Sequence, residues 1–173
     1  MKKPTAETTR ATDAVDELID AWKSVDSALH AESLHLVGRV IVLAQHLQRS
    51  VDAALAKYDM TLGQFDILAT LRRRGQLTPK RLLESVVLSS GGMTGRLDGL
   101  AEVGWIVRKA DPNDRRGVLV ELTAKGKKRI DAATKARFAE AEASSPKLNR
   151  KQADELAEML RAWLLQLNSR GSP

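Results

Sequence analysis

Seven residues in one short segment, Ser89, Ser90, Gly91, Gly92, Met93, Thr94 and Arg96, bring together small, hydroxylated and basic side chains. Further on, Arg115 and Arg116 stand side by side between two β-prone runs. These residue types suit recognition of a polyanion. Hydroxyls and the N–H groups of a helix start donate to phosphates, and small residues let a helix approach a duplex closely. A guanidinium can enter a narrow minor groove, where the potential is most negative. Catalytic chemistry has few means here. The chain has no cysteine, which excludes disulfides, cysteine-based zinc sites and thiol nucleophiles. His30, His35 and His46 are the only histidines, and none has metal-ligand or triad partners at suitable spacing. Gly91-Gly92 lacks the following lysine and preceding strand of a phosphate-binding loop. An enzyme is not expected, and neither is a metal or an organic cofactor.

The charge is concentrated in the middle of the chain. Net charge is +6 over 173 residues, but residues 1–71 carry −3, residues 72–129 carry +8 and residues 130–173 carry +1. A basic centre between nearly neutral flanks points to double-stranded DNA held by the central third. A sequence-neutral architectural DNA-binding protein is the alternative, but its basic residues would be spread along the chain.

The elements that must position these groups can be read from periodicity and caps. With 43% apolar residues and only 3% aromatic, the core is built from Leu, Val, Ile and Ala, which favours helices. Apolar residues at spacings of three and four predict helices over about 13–27 and 34–58. Thr61 and Gln64 form a capping box that opens the next helix, which Gly75 ends. Thr78-Pro79 starts a helix over about 80–86. Ser89 or Ser90 caps another that runs to Gly104. Residues 78–104 thus read as helix, turn, helix. Residues 105–109 and 118–122 are strands around the turn-forming run Asp111-Pro112-Asn113-Asp114. The expected hairpin is longer than the two-residue minimum, with Gly117 opening the return strand and Asp111 pairing an arginine to shape the loop. Helices follow over about 124–143 and 149–168, separated by Ser144-Ser145-Pro146. The fold class is mostly α with a small β-hairpin wing, a winged helix-turn-helix. The segment boundaries are 1–60 (extra helix and dimerisation helix), 61–123 (DNA-binding core) and 124–173 (C-terminal dimerisation helices). Acidic residues from Asp13 onward and the absence of a long apolar run predict a cytoplasmic protein with no membrane partner.

Residues 61–130 resemble the MarR family of transcription regulators. The resemblance is carried by the run from Asp111 to Arg116 and by Leu122-Thr123-Ala124-Lys125-Gly126 after the second strand. It implies an obligate homodimer interlocked through the N- and C-terminal helices. Thr78 and the seven residues at the recognition-helix start, with Arg115 and Arg116, then face a palindromic operator, and Asp111 positions the wing. The extra N-terminal helix with Trp22 resembles a urate-responsive subgroup of that family. The subgroup's pattern of a tryptophan, an Asp and Arg seven apart, and a recognition-helix arginine falls on Trp22, Asp66, Arg73 and Arg96. A spacing of seven puts Asp66 and Arg73 on one helix face. The resemblance implies a planar aromatic anion as effector, stacked on Trp22 and paired with Arg73. Urate meets that description, and so do an indole acetate or a phenolic acid. Arg96 is left between two roles, DNA contact and ligand coupling.

Overall fold

The computed structural model describes residues 11–86 and 92–169, without the side chain of Arg115. The expected caps Ser89 and Ser90, together with Gly91, lie outside the described residues. The described residues fall into two compact units, divided between Glu140 and Ala141.

The first unit opens with α1 (Ala14–Val25). Asp13 caps it by accepting the N–H groups of Val15 and Asp16, and the Asp16 carboxylate accepts the N–H of Asp13 in return. A 3-10 turn at Ala31–Ser33 leads into α2 (Leu34–Ala56). Arg39 of α2 bridges Asp13 at 2.8 Å and Asp16 at 2.6 Å, fastening α1 across α2. Beneath this clamp Val15, Ile19 and Ala31 form a small core of their own.

The main core lies under α3 (Leu62–Arg74), α4 (Pro79–Ser85), α5 (Met93–Glu102) and α6 (Ala124–Ser144). The reciprocal box at α3 forms as the spacing requires: the Gln64 N–H reaches Thr61 Oγ1 at 3.3 Å, and Gln64 Oε1 accepts the Thr61 N–H at 2.9 Å. Ile67, Leu68 and Leu71 of α3 are almost fully buried. Strands β1 (Ile106–Asp111) and β2 (Asp114–Leu122) form an antiparallel hairpin in which Ile106 pairs with Leu122 and Ala110 with Val118.

The hairpin departs from expectation in two respects. Its loop is only Pro112-Asn113, because Asp111 pairs directly with Asp114, and the added length is absorbed as a bulge beside Ala110 and Asp111. Gly117 therefore lies within β2 and does not open it. A Cβ at this position would stand 2.8 Å from that of Asp111, so a side chain would collide with the turn. A pairing not anticipated from the sequence joins the hairpin to the helices: Leu77, between α3 and α4, exchanges both backbone hydrogen bonds with Val120.

The stripe anticipated along α2 divides in two. Val51 and Leu55 are buried in the main core, whereas Val37, Ile41 and Leu47 are exposed. In the second unit α7 (Arg150–Ser169) has no buried residue and displays Met159, Leu160, Leu164 and Leu167.

Candidate nucleic-acid interface and effector residues

The helix-turn-helix is set by its caps. Thr78 Oγ1 accepts the N–H of Arg81 at 3.2 Å, and Pro79 fills the first helical position, where no N–H is needed. Leu82 is fully buried and anchors α4. The described part of α5 begins at Met93, with Gly92 as its cap at φ +67, and the cap makes no side-chain hydrogen bond. That left-handed conformation is costly for a residue with a Cβ, which accounts for glycine there. Thr94 is exposed. Met93, expected among the outward residues of the helix start, is instead 9% exposed and packs into the main core, because α5 needs an apolar anchor in its first turn.

The wing is fixed to the recognition helix. Arg108 on β1 bonds Asp98 on α5 at 2.6 Å. Asp111 shapes the turn by accepting the Asn113 N–H at 2.9 Å, and Asp114 accepts the Arg116 N–H at 2.9 Å. The expected pairing of Asp111 with a wing arginine is not formed with Arg116, and the Arg115 side chain lies outside the described residues; the Asp111 carboxylate is bonded to the turn backbone. Four basic groups of the central third are engaged internally, in Arg72–Asp131, Arg108–Asp98, Lys109–Glu121 and Arg129–Asp59. Among the described residues Lys80, Arg81 and Arg116 make no ion pair. Lys80 and Arg81, on the exposed side of α4, are basic groups that the sequence reading did not single out.

Arg96 turns toward α3. Its Nε and Cζ lie so close to Gly63 that a Cβ there would sit 2.7 and 2.8 Å from them. With Gln48, Asp52, Thr61, Gln64 and Gly95 it lines a cavity of about 580 Å³ between α2, α3 and the start of α5. Gly63 is a further positioning residue that the sequence did not reveal; its only signal there is a glycine in the first turn of a helix.

Asp66 and Arg73 share α3, as their spacing requires, but differ in environment. Asp66 is half-buried with Oδ2 shielded from solvent, and Arg73 is exposed with Nη2 on Thr70 Oγ1 at 3.2 Å. Trp22, on α1, is 45% exposed. Helix α1 packs on α2 and the 3-10 turn, while α3 packs on α2, α4, α5 and β2, so α2 is the element both touch.

A helix-turn-helix followed directly by a hairpin bonded to its second helix defines a winged helix-turn-helix protein. The profile of the MarR family matches residues 60–118. The chain is 31% identical to the HTH-type transcriptional regulator PecS of Dickeya dadantii over 115 residues, which cover 65% of this chain and 69% of that protein. It is 40% identical to the multiple antibiotic resistance protein MarR of Salmonella typhimurium over 91 residues, covering 52% of this chain and 63% of MarR. A MarR-like regulator from Bacillus cereus superposes with a TM-score of 0.71 at 23% identity, covering 79% of this chain and 98% of that one. A mutant of Escherichia coli MarR solved with operator DNA gives 0.69 at 27% identity, covering 79% and 99%. The chain belongs to the MarR family of transcriptional regulators. Among the described residues no helix is long and apolar enough to cross a membrane, and no group of potential metal ligands occurs.

Proposed function

We propose that the protein is a homodimeric, ligand-responsive regulator, most simply a repressor, that reads a palindromic operator and leaves it when a planar aromatic anion binds. The reading rests above all on the wing and the recognition helix being joined as one body by Arg108–Asp98, with Arg116 exposed on the wing. On this reading Thr78, Ser89, Ser90, Gly91, Gly92 and Thr94 are assigned to the major groove, and Arg115 and Arg116 to the minor groove. The likeness to a MarR mutant solved with operator DNA supports it.

Exposed apolar surface supports the dimer. On α2, Leu36, Val40, Leu43 and Leu47 recur at helical spacing and are 38–63% exposed, and α7 displays Met159, Leu160 and Leu164. Contiguous apolar faces of this kind mark association surfaces. Residues 1–60 and 124–173 are assigned to the dimer and residues 61–123 to the DNA. Two-fold symmetry then requires half-sites about one helical turn apart.

For the effector, Trp22 offers a stacking face and Arg73 a pairing cation, and an anion brought near Asp66 meets repulsion. Arg96, lying over Gly63 on the helix that carries Asp66 and Arg73, supports a coupling role. Urate is the first candidate, with an indole acetate or a phenolic acid next. Fluorescence anisotropy on a labelled fragment from upstream of the gene tests both levels. Salt-sensitive binding, at least ~10³-fold tighter than to nonspecific DNA, is expected, with release by urate. Binding without preference would favour an architectural protein instead. Trp22→Ala combined with Arg73→Ala should abolish release and spare DNA binding; a normal response would place the effector elsewhere.

A further inference from the structure

Three separate parts of the fold meet at one guanidinium. Arg129, near the start of α6, donates through Nε to Tyr58 O at 3.0 Å and through Nη2 to Asp59 Oδ2 at 2.5 Å. Its Cζ lies 5.9 Å from the ring centre of Tyr58 and 5.4 Å from that of Trp105. Tyr58 and Asp59 belong to the link between α2 and α3, and Trp105 to the link between α5 and β1. The segment assigned to DNA, residues 61–123, is joined to the rest of the chain at α2–α3 and at β2–α6. Arg129 stands just past the second joint and is bonded to the first.

The first joint is itself held. The N–H groups of Tyr58 and Met60 return to Leu55 O and that of Asp59 to Ala56 O, and Asp59 takes a left-handed φ of +51, a conformation in which Asp is enriched among residues with a side chain. Helix α2 runs for 23 residues with no basic residue in its last turn. Arg129 brings a cation from another helix to that negative end. The Asp59 side chain is 85% exposed, so the ion pair by itself contributes little. The Tyr58 carbonyl and the two rings carry more of the geometry.

The same parts are also packed together through Val51 and Leu55 of α2 and Ile130 and Ala133 of α6. Apolar packing is non-directional. A planar guanidinium with two directed bonds and two ring faces fixes an orientation as well as a contact.

We propose that Arg129 is a positioning residue for operator recognition: it fixes the angle at which residues 61–123 stand on α2 and α6, and thereby the half-site spacing that the dimer accepts. The inference rests on the homodimeric reading above, in which the exposed apolar stripe of α2 belongs to the dimer. Arg129 then connects the end of a dimer helix to the segment that reads DNA.

Operators that differ only in spacing test this. One base pair added between the half-sites moves them apart by about 3.4 Å and turns them by about 34°, so a stiffly held dimer discriminates against it. Anisotropy is measured with the upstream fragment and with versions carrying one base pair inserted or deleted between the half-sites, and the ratio of affinities is the readout. Arg129→Lys keeps the charge but loses the fork, and the ratio should fall about fivefold, with Arg129→Gln lowering it at least as far. Asp59→Asn, which tolerates the left-handed φ, should lower it about twofold. A purely structural role would weaken binding at every spacing by one factor and leave the ratio alone. Tm and sedimentation velocity establish that each variant is folded and dimeric. An unchanged ratio in folded, dimeric Arg129→Lys or Arg129→Gln would overturn the proposal, and if neither folds, an unchanged ratio in Asp59→Asn would do so. Wild-type protein that is monomeric, or that binds every spacing alike, would refute the dimer reading together with this one, so the two failures are distinguishable.

Discussion

Replacing Gly126 by alanine tests how the wing is attached. A Cβ at this position would lie 1.9 Å from Trp105 O, 2.7 Å from its carbonyl carbon and 3.0 Å from its Cα. The obstacle is backbone, so no side-chain rotation relieves it. Either α6 or the start of β1 must move by more than an ångström. Trp105 is 6% exposed, and its carbonyl accepts the Thr123 N–H at 3.0 Å, while Thr123 Oγ1 donates to Gly104 O at 2.7 Å and caps Gly126 N–H at 3.0 Å. Overpacking of this kind costs ~1–3 kcal/mol. Weakening the Thr123 bonds adds about 1 kcal/mol, and helix propensity returns up to ~1 kcal/mol. The net loss is therefore roughly 1–3 kcal/mol, or roughly 2–12 °C in Tm for a chain of this size. Urea unfolding followed by far-UV circular dichroism, at one fixed protein concentration because association contributes to stability, measures it. Operator affinity should fall as well, because the displaced segment links α5 to the wing. A loss below ~1 kcal/mol with unchanged operator binding would refute the reasoning, since it would mean that α6 and Trp105 are not in the contact described.

Three further outcomes are expected. Gly63→Ala pushes only the far end of the Arg96 side chain, so Tm should hold or rise slightly while effector-driven release weakens several-fold; unaltered release would remove Arg96 from the coupling path. Arg116→Ala should lower operator affinity and reduce the slope of log K against log salt by ~1 for each wing, and an unchanged slope would show that the wing arginine is not at a phosphate or groove. The Asp13 carboxyl is held below its ordinary value, first by the Asp16 N–H and then by the Val15 N–H and Arg39. Its stabilisation of α1 is therefore complete above the ordinary carboxylate range and is lost as pH falls through that range toward the lowered value. Hydrogen exchange should show α1 losing protection relative to α3 on acidification to that point, and equal protection of the two helices would contradict the clamp.

Local chemistry explains which features were legible in advance. The box at Thr61 and Gln64, the Thr78-Pro79 start and the stop at Gly75 involve partners within four residues, so their geometry follows from spacing alone. The same holds for the spacing of Asp66 and Arg73 and for the change from helical to alternating pattern at residue 105. Features set by distant partners were not legible. Nothing near Met93 indicates that it turns into the core, and nothing near Asp111 indicates that its carboxylate is directed at the turn backbone. The two-residue loop depends on a bulge, and a bulge depends on what packs against it, here Asp111 over Gly117.

By itself the sequence determined a helical chain with one hairpin, a basic central third and the family to which it belongs, because periodicity, caps and charge are local quantities. Tertiary structure alone decided which of those charges remain available. It placed Arg72, Arg108 and Arg129 against acids 59, 10 and 70 residues away in the chain, leaving Arg81 and Arg116 at the surface. It also divided one apolar stripe on α2 into a buried end and an exposed length. Both outcomes depend on which elements meet in space, and ion pairing and burial are settled only when they do.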